Sequence, residues 1–244
     1  MVGGEAAVDA VARAHHLPTL RVGLHLNLTD GHPVLPEEEI PQLVREKGEF
    51  DRNMTRAGVR FFFLRDVRRQ LASEIRAQFA AFGATGLPLD HVNAHQHMHV
   101  HPGVARLIIE IGRDYGMKAV RVPSEPVAVL RHAFPDERYR ILAYRPWVAA
   151  LRRRLQRAGL RTNDHLFGLA WSGAMVEARF LRLIPQLPDG VSEIYFHPAT
   201  ERTPSLIAAM PSYRYPEELA ALLSPLVRDR IAESGVRLIT YSDL

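Results

Sequence analysis

Short runs of β-branched and apolar residues alternate with amphipathic stretches along nearly the whole chain, and three of the runs end in histidine. A strand buried on both faces needs such a run, and a crossover helix needs a single apolar stripe. The alternation therefore predicts βα units around a parallel sheet. Residues 20–28, 90–94, 118–122, 165–170, 191–196 and 236–240 read as strands. Residues 66–82 read as a helix with Val67, Leu71, Ile75, Phe79 and Phe82 on one face, stopped at Gly83 or Gly86. Pro102 suits the first turn of a helix that carries Val104, Leu107, Ile108 and Ile111 and stops at Gly116. Residues 147–158, 176–184 and 216–234 predict three further helices, and the Pro-, Arg- and Tyr-rich stretch 123–146 stays irregular.

A chain of 244 residues without repeat or linker reads as one domain, residues 1–244, in the size range of an α/β barrel. No apolar run approaches the roughly 18 residues of a membrane span, and the first residues lack a basic patch followed by an apolar core. The expectation is a cytoplasmic protein. There are no cysteines, which excludes disulfides, thiolate metal sites and a cysteine nucleophile, so any metal must be held by nitrogen and oxygen. The net charge of +4 owes much to Arg152-Arg153-Arg154, Arg157 and Arg161. Such a helix suits nucleic acid or an anionic membrane surface, and equally the solvated face of a helix.

Three segments carry candidate chemistry. In His95-Gln96-His97-Met98-His99-Val100-His101-Pro102, four histidines alternate between a strand and a helix. In an extended chain alternate side chains share a side, which would bring two or three imidazoles together. Imidazole binds first-row divalent ions and titrates near neutrality, so the cluster could supply both ligand and proton carrier; the plain alternative is a polar loop. His25 ends a strand otherwise built of Val and Leu. Alone it reads first as a hydrogen-bonded core residue, but the C-terminal ends of barrel strands are where active sites gather. His197-Pro198 ends a third strand, and three such endings are more than scattered core histidines would supply.

The segments Gly23–Thr29, Asn93–His99 and His197-Pro198-Ala199, in that order and spacing, resemble the motifs of the YdjC-like carbohydrate deacetylases. Members of that family remove acetyl groups from N-acetylated sugars. Asn93-Ala94-His95, Thr162-Asn163-Asp164 and the run from Gly168 to Met175 resemble the branch associated with hopanoid biosynthesis. The resemblance implies an α/β, (β/α) barrel-like fold of parallel strands. It also implies a metal site of one aspartate and two histidines, with His25 and His95 as the histidines and Mg²⁺ or Zn²⁺ as the ion. The family's aspartate belongs to an Asp-Asp-Phe-Gly segment that this chain does not contain, and Met1-Val2-Gly3-Gly4 looks like the tail of the family's second strand. The expectation is thus an N-terminally truncated domain without its first strand, and a metal site weakened by loss of a carboxylate.

By the same resemblance the ion polarises an acetamide carbonyl and activates water, and His197 protonates the leaving amine. His97, His99 and Arg121 are substrate or supporting contacts. The implied partner is an N-acetylated sugar, or an N-acetylglucosaminyl hopanoid glycolipid met at the inner face of the membrane. Tyr139, Tyr144, Trp147 and Trp171 could then supply apolar contacts, although each reads equally as core. A peripheral membrane contact and a homodimer are the other partners considered. Two rival readings are an inactive deacetylase-like interaction protein and a nucleic-acid-binding protein that uses the arginine-rich helix; nucleic acid is not the expected partner.

Overall fold

A computed structural model describes residues 1–45, 48–137, 139 and 145–244. The elements in chain order are α1 (Ala7–His15), β1 (Val22–Leu26), α2 (Met54–Phe63), α3 (Arg65–Ala84), β2 (Leu89–Ala94), α4 (Pro102–Asp114), α5 (Val127–Ala133) and α6 (Arg145–Arg157), followed by β3 (His165–Phe167), α7 (Glu177–Leu183), β4 (Ser192–Ile194), α8 (Pro204–Ala209), α9 (Tyr215–Leu223) and α10 (Pro225–Glu233). They form two compact units. One comprises Met1–Arg121, Pro146–Thr162 and Ile239–Leu244; the other comprises Val122–Arg145 and Asn163–Leu238.

In the first unit β1 and β2 pair in parallel, with His25 opposite Asn93 and Leu26 opposite Ala94. Leu24, Leu26, Val92 and Ala94 are buried, as apolar runs in a covered sheet must be. The run 118–122 extends the sheet only through single parallel bridges, Val92 to Val120 and Ala119 to Arg161. α3 packs on β1 and α4. Its buried face holds the five predicted apolar residues and also Glu74 and Gln78. Those polar groups are satisfied by the loop after β1. Glu74 accepts the backbone N–H groups of Val34 (2.9 Å) and Leu35 (3.0 Å), while Gln78 accepts from Asn27 N–H (2.9 Å) and donates to its carbonyl (2.6 Å).

In the second unit β3 and β4 form another parallel pair. Leu130, Phe134, Phe167, Trp171, Met175 and Leu183 pack together beneath it, with Tyr139 against them. Three loop N–H groups after β3, from Gly168, Leu169 and Ala170, each donate at 2.9 Å to the buried Glu125 carboxylate. Asn163 bridges Val122 N–H (2.7 Å) and carbonyl (3.0 Å), doing with a side chain what a ladder would do with backbone.

The mixed α/β class and the parallel pairing agree with the sequence reading. Among the described residues, however, the sheets are two parallel pairs rather than a closed barrel. The expected helix over 216–234 is two helices. Pro225 lacks an N–H and pushes Ser224 to an extended ψ of 125°, whose hydroxyl then accepts from Val227 N–H at 3.3 Å and caps α10. Residues 236–240 form no strand, and residues 1–4 are turn rather than the tail of one. Tyr144 lies outside the described residues.

Candidate functional site

β1 and β2 deliver His25 and His95 to one place. His25 lies on β1 one residue before its end, and His95 follows β2 directly. Their ring centroids lie 5.9 Å apart, edge to face at 74°. The loop beyond β1 is pinned to the loop beyond β2 where the Thr29 hydroxyl donates to Gln96 Oε1 at 3.2 Å. The next residue, Asp30, carries a positive φ of 59° and precedes Gly31 at 81°, a tight left-handed turn. Asp30 acts electrostatically on His95. Sequence reasoning missed it, although Thr29-Asp30-Gly31 is a recognisable turn signal.

The histidine cluster is not extended, and this corrects the alternate-side expectation. Residues His95–Val100 form a 3-10 stretch kinked at Gln96 (φ 49°) and His97 (φ 55°), so the four imidazoles do not line one side, although His97 and His99 stay neighbours. His99 is completely buried, and its Nε2–H donates to the Arg121 carbonyl at 3.0 Å. His97 lies beside it, ring centroids 6.0 Å apart. His101 caps α4, its Nδ1 accepting from Gly103 N–H (3.2 Å) and Val104 N–H (3.4 Å). The tract thus sends His95 toward His25, places His99 in the core and spends His101 on a helix end.

Burial sets the protonation of this group, because an imidazolium loses its hydration there. It lowers His25 to about 3, with the hydrogen bond to Asn93 working partly against it. It also lowers His95 and drives His99 well below the ordinary value. All three are therefore neutral at neutral pH.

A divalent ion held by nitrogen requires unprotonated imidazoles. Metal–nitrogen bonds of about 2.1 Å place each ring centroid roughly 3 Å from the ion, so two ligating rings can lie up to about 6.5 Å apart. His25 and His95 meet both conditions. Among the described residues no group of three His, Cys, Asp or Glu is arranged to hold a metal. By themselves the two imidazoles could supply only part of an ion's donor set.

His197 belongs to the second unit and follows β4. Its ring packs against Tyr195 (5.4 Å) and Tyr213 (4.9 Å). The Tyr213 hydroxyl shares a 2.6 Å hydrogen bond with Ser172. Gly173 (φ 75°) is required beneath Tyr213, because a Cβ there would lie 2.1 Å from the ring. The backbone N–H of His197 donates to Glu218, whose other oxygen accepts from Met175 N–H at 2.8 Å. Of the aromatics singled out in the sequence, Trp171 is core, with its indole N–H on Glu137 at 2.5 Å, and Tyr139 packs beside it. Trp147 is exposed.

The model of the YdjC-like protein family matches residues 1–233. A carbohydrate deacetylase from Geobacillus stearothermophilus is 30% identical, covering 100% of this chain and 84% of that protein. A carbohydrate deacetylase from Mus musculus is 31% identical, again covering 100% and 84%. A crystal structure from Enterococcus faecalis V583 superposes with a TM-score of 0.72 at 23% identity, covering 100% of this chain and 85% of that one, a likeness of fold. The chain belongs to the YdjC-like family.

Proposed function

We propose that this protein is a metal-dependent N-deacetylase acting on an N-acetylated sugar, with His25 and His95 holding the ion. The observation that carries the reading is the meeting of two neutral imidazoles at the ends of adjacent parallel strands. The deacetylase relatives supply the reaction class. Mg²⁺ is the ion proposed first and Zn²⁺ second; when bound, it would polarise the acetamide carbonyl and acidify water.

The protein's own groups do the rest. In the overall reaction water adds to the acetyl carbon, the C–N bond breaks, and acetate and a free amine leave. His197 gives the departing nitrogen its proton, a role for which imidazole is suited near neutral pH. His97 and Arg121 are proposed substrate or supporting contacts. His99 supports from the core, where its ring holds the Arg121 main chain.

The proposed substrate is an N-acetylglucosaminyl hopanoid glycolipid. Besides the resemblance of the 162–175 segments, exposed apolar groups support it. Phe63 is 73% exposed, and Phe62 and Trp147, each 43% exposed, pack edge to face at 6.4 Å beside the arginine-rich α6. Aromatic rings with adjacent guanidinium groups suit a peripheral contact with an anionic membrane. Acetate release from that glycolipid and from diacetylchitobiose, each with and without added Mg²⁺ or Zn²⁺, tests the proposal. Metal-dependent release that favours the glycolipid is expected. Release from neither substrate with metal present refutes the deacetylase reading, and preference for chitobiose refutes the lipid assignment.

A further inference from the structure

α2 carries two apolar faces. Ala57 and Phe61, one turn apart, are buried. Val59, Phe62 and Phe63 stand at i, i+3 and i+4 on the opposite side and are exposed, as is Leu64 at the helix end. A surface helix ordinarily turns polar residues outward, so a second apolar stripe marks a contact made with something else.

Aromatic rings gather on that face. Phe62 lies 5.3 Å from Phe63, and it meets His101 (5.4 Å) and Trp147 (6.4 Å) edge to face. Trp147 lies in the first turn of α6, and Arg154 follows it two turns later, about 10 Å along the same flank. Arg154 and Arg157 share a groove of about 460 Å³ with Arg106 and Arg113 of α4, lined also by Ile109 and Ala158. α2, α4 and the helix from Pro146 onward belong to one compact unit.

The groove holds more positive charge than its own acid neutralises. Elsewhere helical arginines meet an acid about one turn away, as Arg13 meets Asp9, Arg69 meets Asp66 and Arg214 meets Glu217. Here four guanidinium groups share one carboxylate, Glu110, which pairs with Arg106 at 3.6 Å. Among the described residues no carboxylate is in ion-pair contact with Arg113, Arg154 or Arg157. Arg154 is steadied instead by the Pro102 carbonyl, which accepts from its Nη1 at 2.9 Å. Planar guanidinium groups brought together from two helices suit the oxygens of a phosphate ester.

We propose that this face docks on an anionic phospholipid bilayer: the α4–α6 groove takes a lipid phosphate, while Phe62, Phe63 and Trp147 enter the bilayer surface beside it. The peripheral contact proposed above thereby gains a headgroup site of its own, one that does not depend on deacetylase chemistry. An anionic leaflet offers phosphates and an apolar layer within about 10 Å of each other, the spacing over which the two features are arranged. A soluble phosphate would leave the rings unused. Nucleic acid also supplies phosphates, but base stacking needs open ring faces, and Phe62 is packed among Phe63, His101 and Trp147.

The test mixes the full chain, without substrate, with vesicles of phosphatidylcholine alone or mixed with phosphatidylglycerol. Sedimentation reads partition. Tryptophan emission reads insertion, because Trp171, the other tryptophan, is buried and a blue shift reports Trp147. Salt-sensitive binding to the anionic vesicles alone, with a blue shift, is expected. Arg113→Gln with Arg157→Gln should weaken partition about thirtyfold. Arg228→Gln with Arg237→Gln removes equal charge at exposed positions outside the groove and should leave partition within about threefold of wild type. Phe63→Ser should weaken it about tenfold. The proposal is overturned by absence of binding to anionic vesicles, by binding without an emission shift, or by equal weakening from the two arginine pairs. Displacement from vesicles by glycerol phosphate, or tighter binding to duplex DNA, overturns it in favour of those ligands. Acetate release enters none of these readouts, so this proposal and the deacetylase reading fail separately.

Discussion

Glu218 holds His197 by its main chain: its carboxylate accepts the backbone N–H of His197, while the imidazole packs against Tyr195 and Tyr213. The other carboxylate oxygen takes Met175 N–H at 2.8 Å, so one fully buried side chain closes two loops. Glu218→Ala leaves two N–H groups, that of Met175 buried and that of His197 half-buried, without this acceptor and should cost about 2–4 kcal/mol by urea unfolding. Glu218→Gln keeps one accepting oxygen and should cost less. Equal stability of wild type and the alanine variant would remove this carboxylate from the account of how His197 is held.

His197 itself is expected to matter to the chemistry rather than to the fold. His197→Asn should lower kcat by at least about a hundredfold, the usual scale for losing a general acid. KM should change little and the urea midpoint should barely move. Steady-state kinetics on the glycolipid or on chitobiose reads both constants, and a kcat within threefold of wild type would exclude the proton-donor role.

Removing either proposed ligand should act on metal before anything else. His25→Ala and His95→Ala are each expected to abolish measurable Zn²⁺ or Mg²⁺ binding by calorimetry. Chelation of the wild type should silence acetate release, reversibly on adding metal back. Full binding by either variant would show that the 5.9 Å ring pair is a packing contact.

Stability should fall on mild acidification. An unfolded histidine titrates near pH ~6.5. Folded His25 stays neutral down to about 3, and buried His99 is lowered well below its ordinary value. Below pH ~6.5 the unfolded chain therefore binds protons that the folded chain refuses, and stability is lost progressively as pH drops. Asp51, lowered to about 2 chiefly by its Arg56 hydrogen bond, loses its contribution only further into acid. Glu74 and Glu125 are raised by burial and act in the opposite sense, gaining stability as they protonate. The decisive comparison is wild type against His99→Phe by urea unfolding at pH 7.5 and 5.5. The variant should show the smaller drop, and an equal or larger one counts against the buried neutral imidazole.

Gly23 lies where the β1–β2 register shifts, with His91 packed against it. A Cβ there would stand 2.6 Å from His91 Cε1 and 2.8 Å from the His91 carbonyl oxygen, and the carbonyl cannot swing aside as a side-chain tip could. Gly23→Ala should therefore cost about 2 kcal/mol, roughly 4–8 °C in Tm. An unaltered melting curve would mean that the strand gives way freely.

Much of the architecture is legible in the order of residues alone. The starts and stops of α3 and α4 follow from their apolar stripe, from Pro102 and from the closing glycines, all effects that act within a few residues. β1 and β2 follow from their apolar runs, and the three histidine-bearing strand ends follow with them. Even the break between α9 and α10 is written locally, in Pro225, although the apolar pattern runs across it. The kink at Gln96 and His97 is different. Neither residue is a glycine, and the positive φ values are imposed by surroundings that no short window contains.

What only the tertiary structure decided is which polar group answers which. Glu74, Glu125 and Glu218 read in sequence as ordinary surface acids; folded, each is buried and accepts backbone N–H groups of loops about 40 or more residues away, or 21 in the case of His197. Asn93 is separated from His25 by 68 residues, and Asp90 from Ser242 by 152. A buried polar atom must find a partner wherever the fold brings one, so its partner is a property of chain packing and not of local propensity. The identities of His25 and His95 are therefore set by the sequence, but their neutrality and their approach to each other are set by what is packed around them.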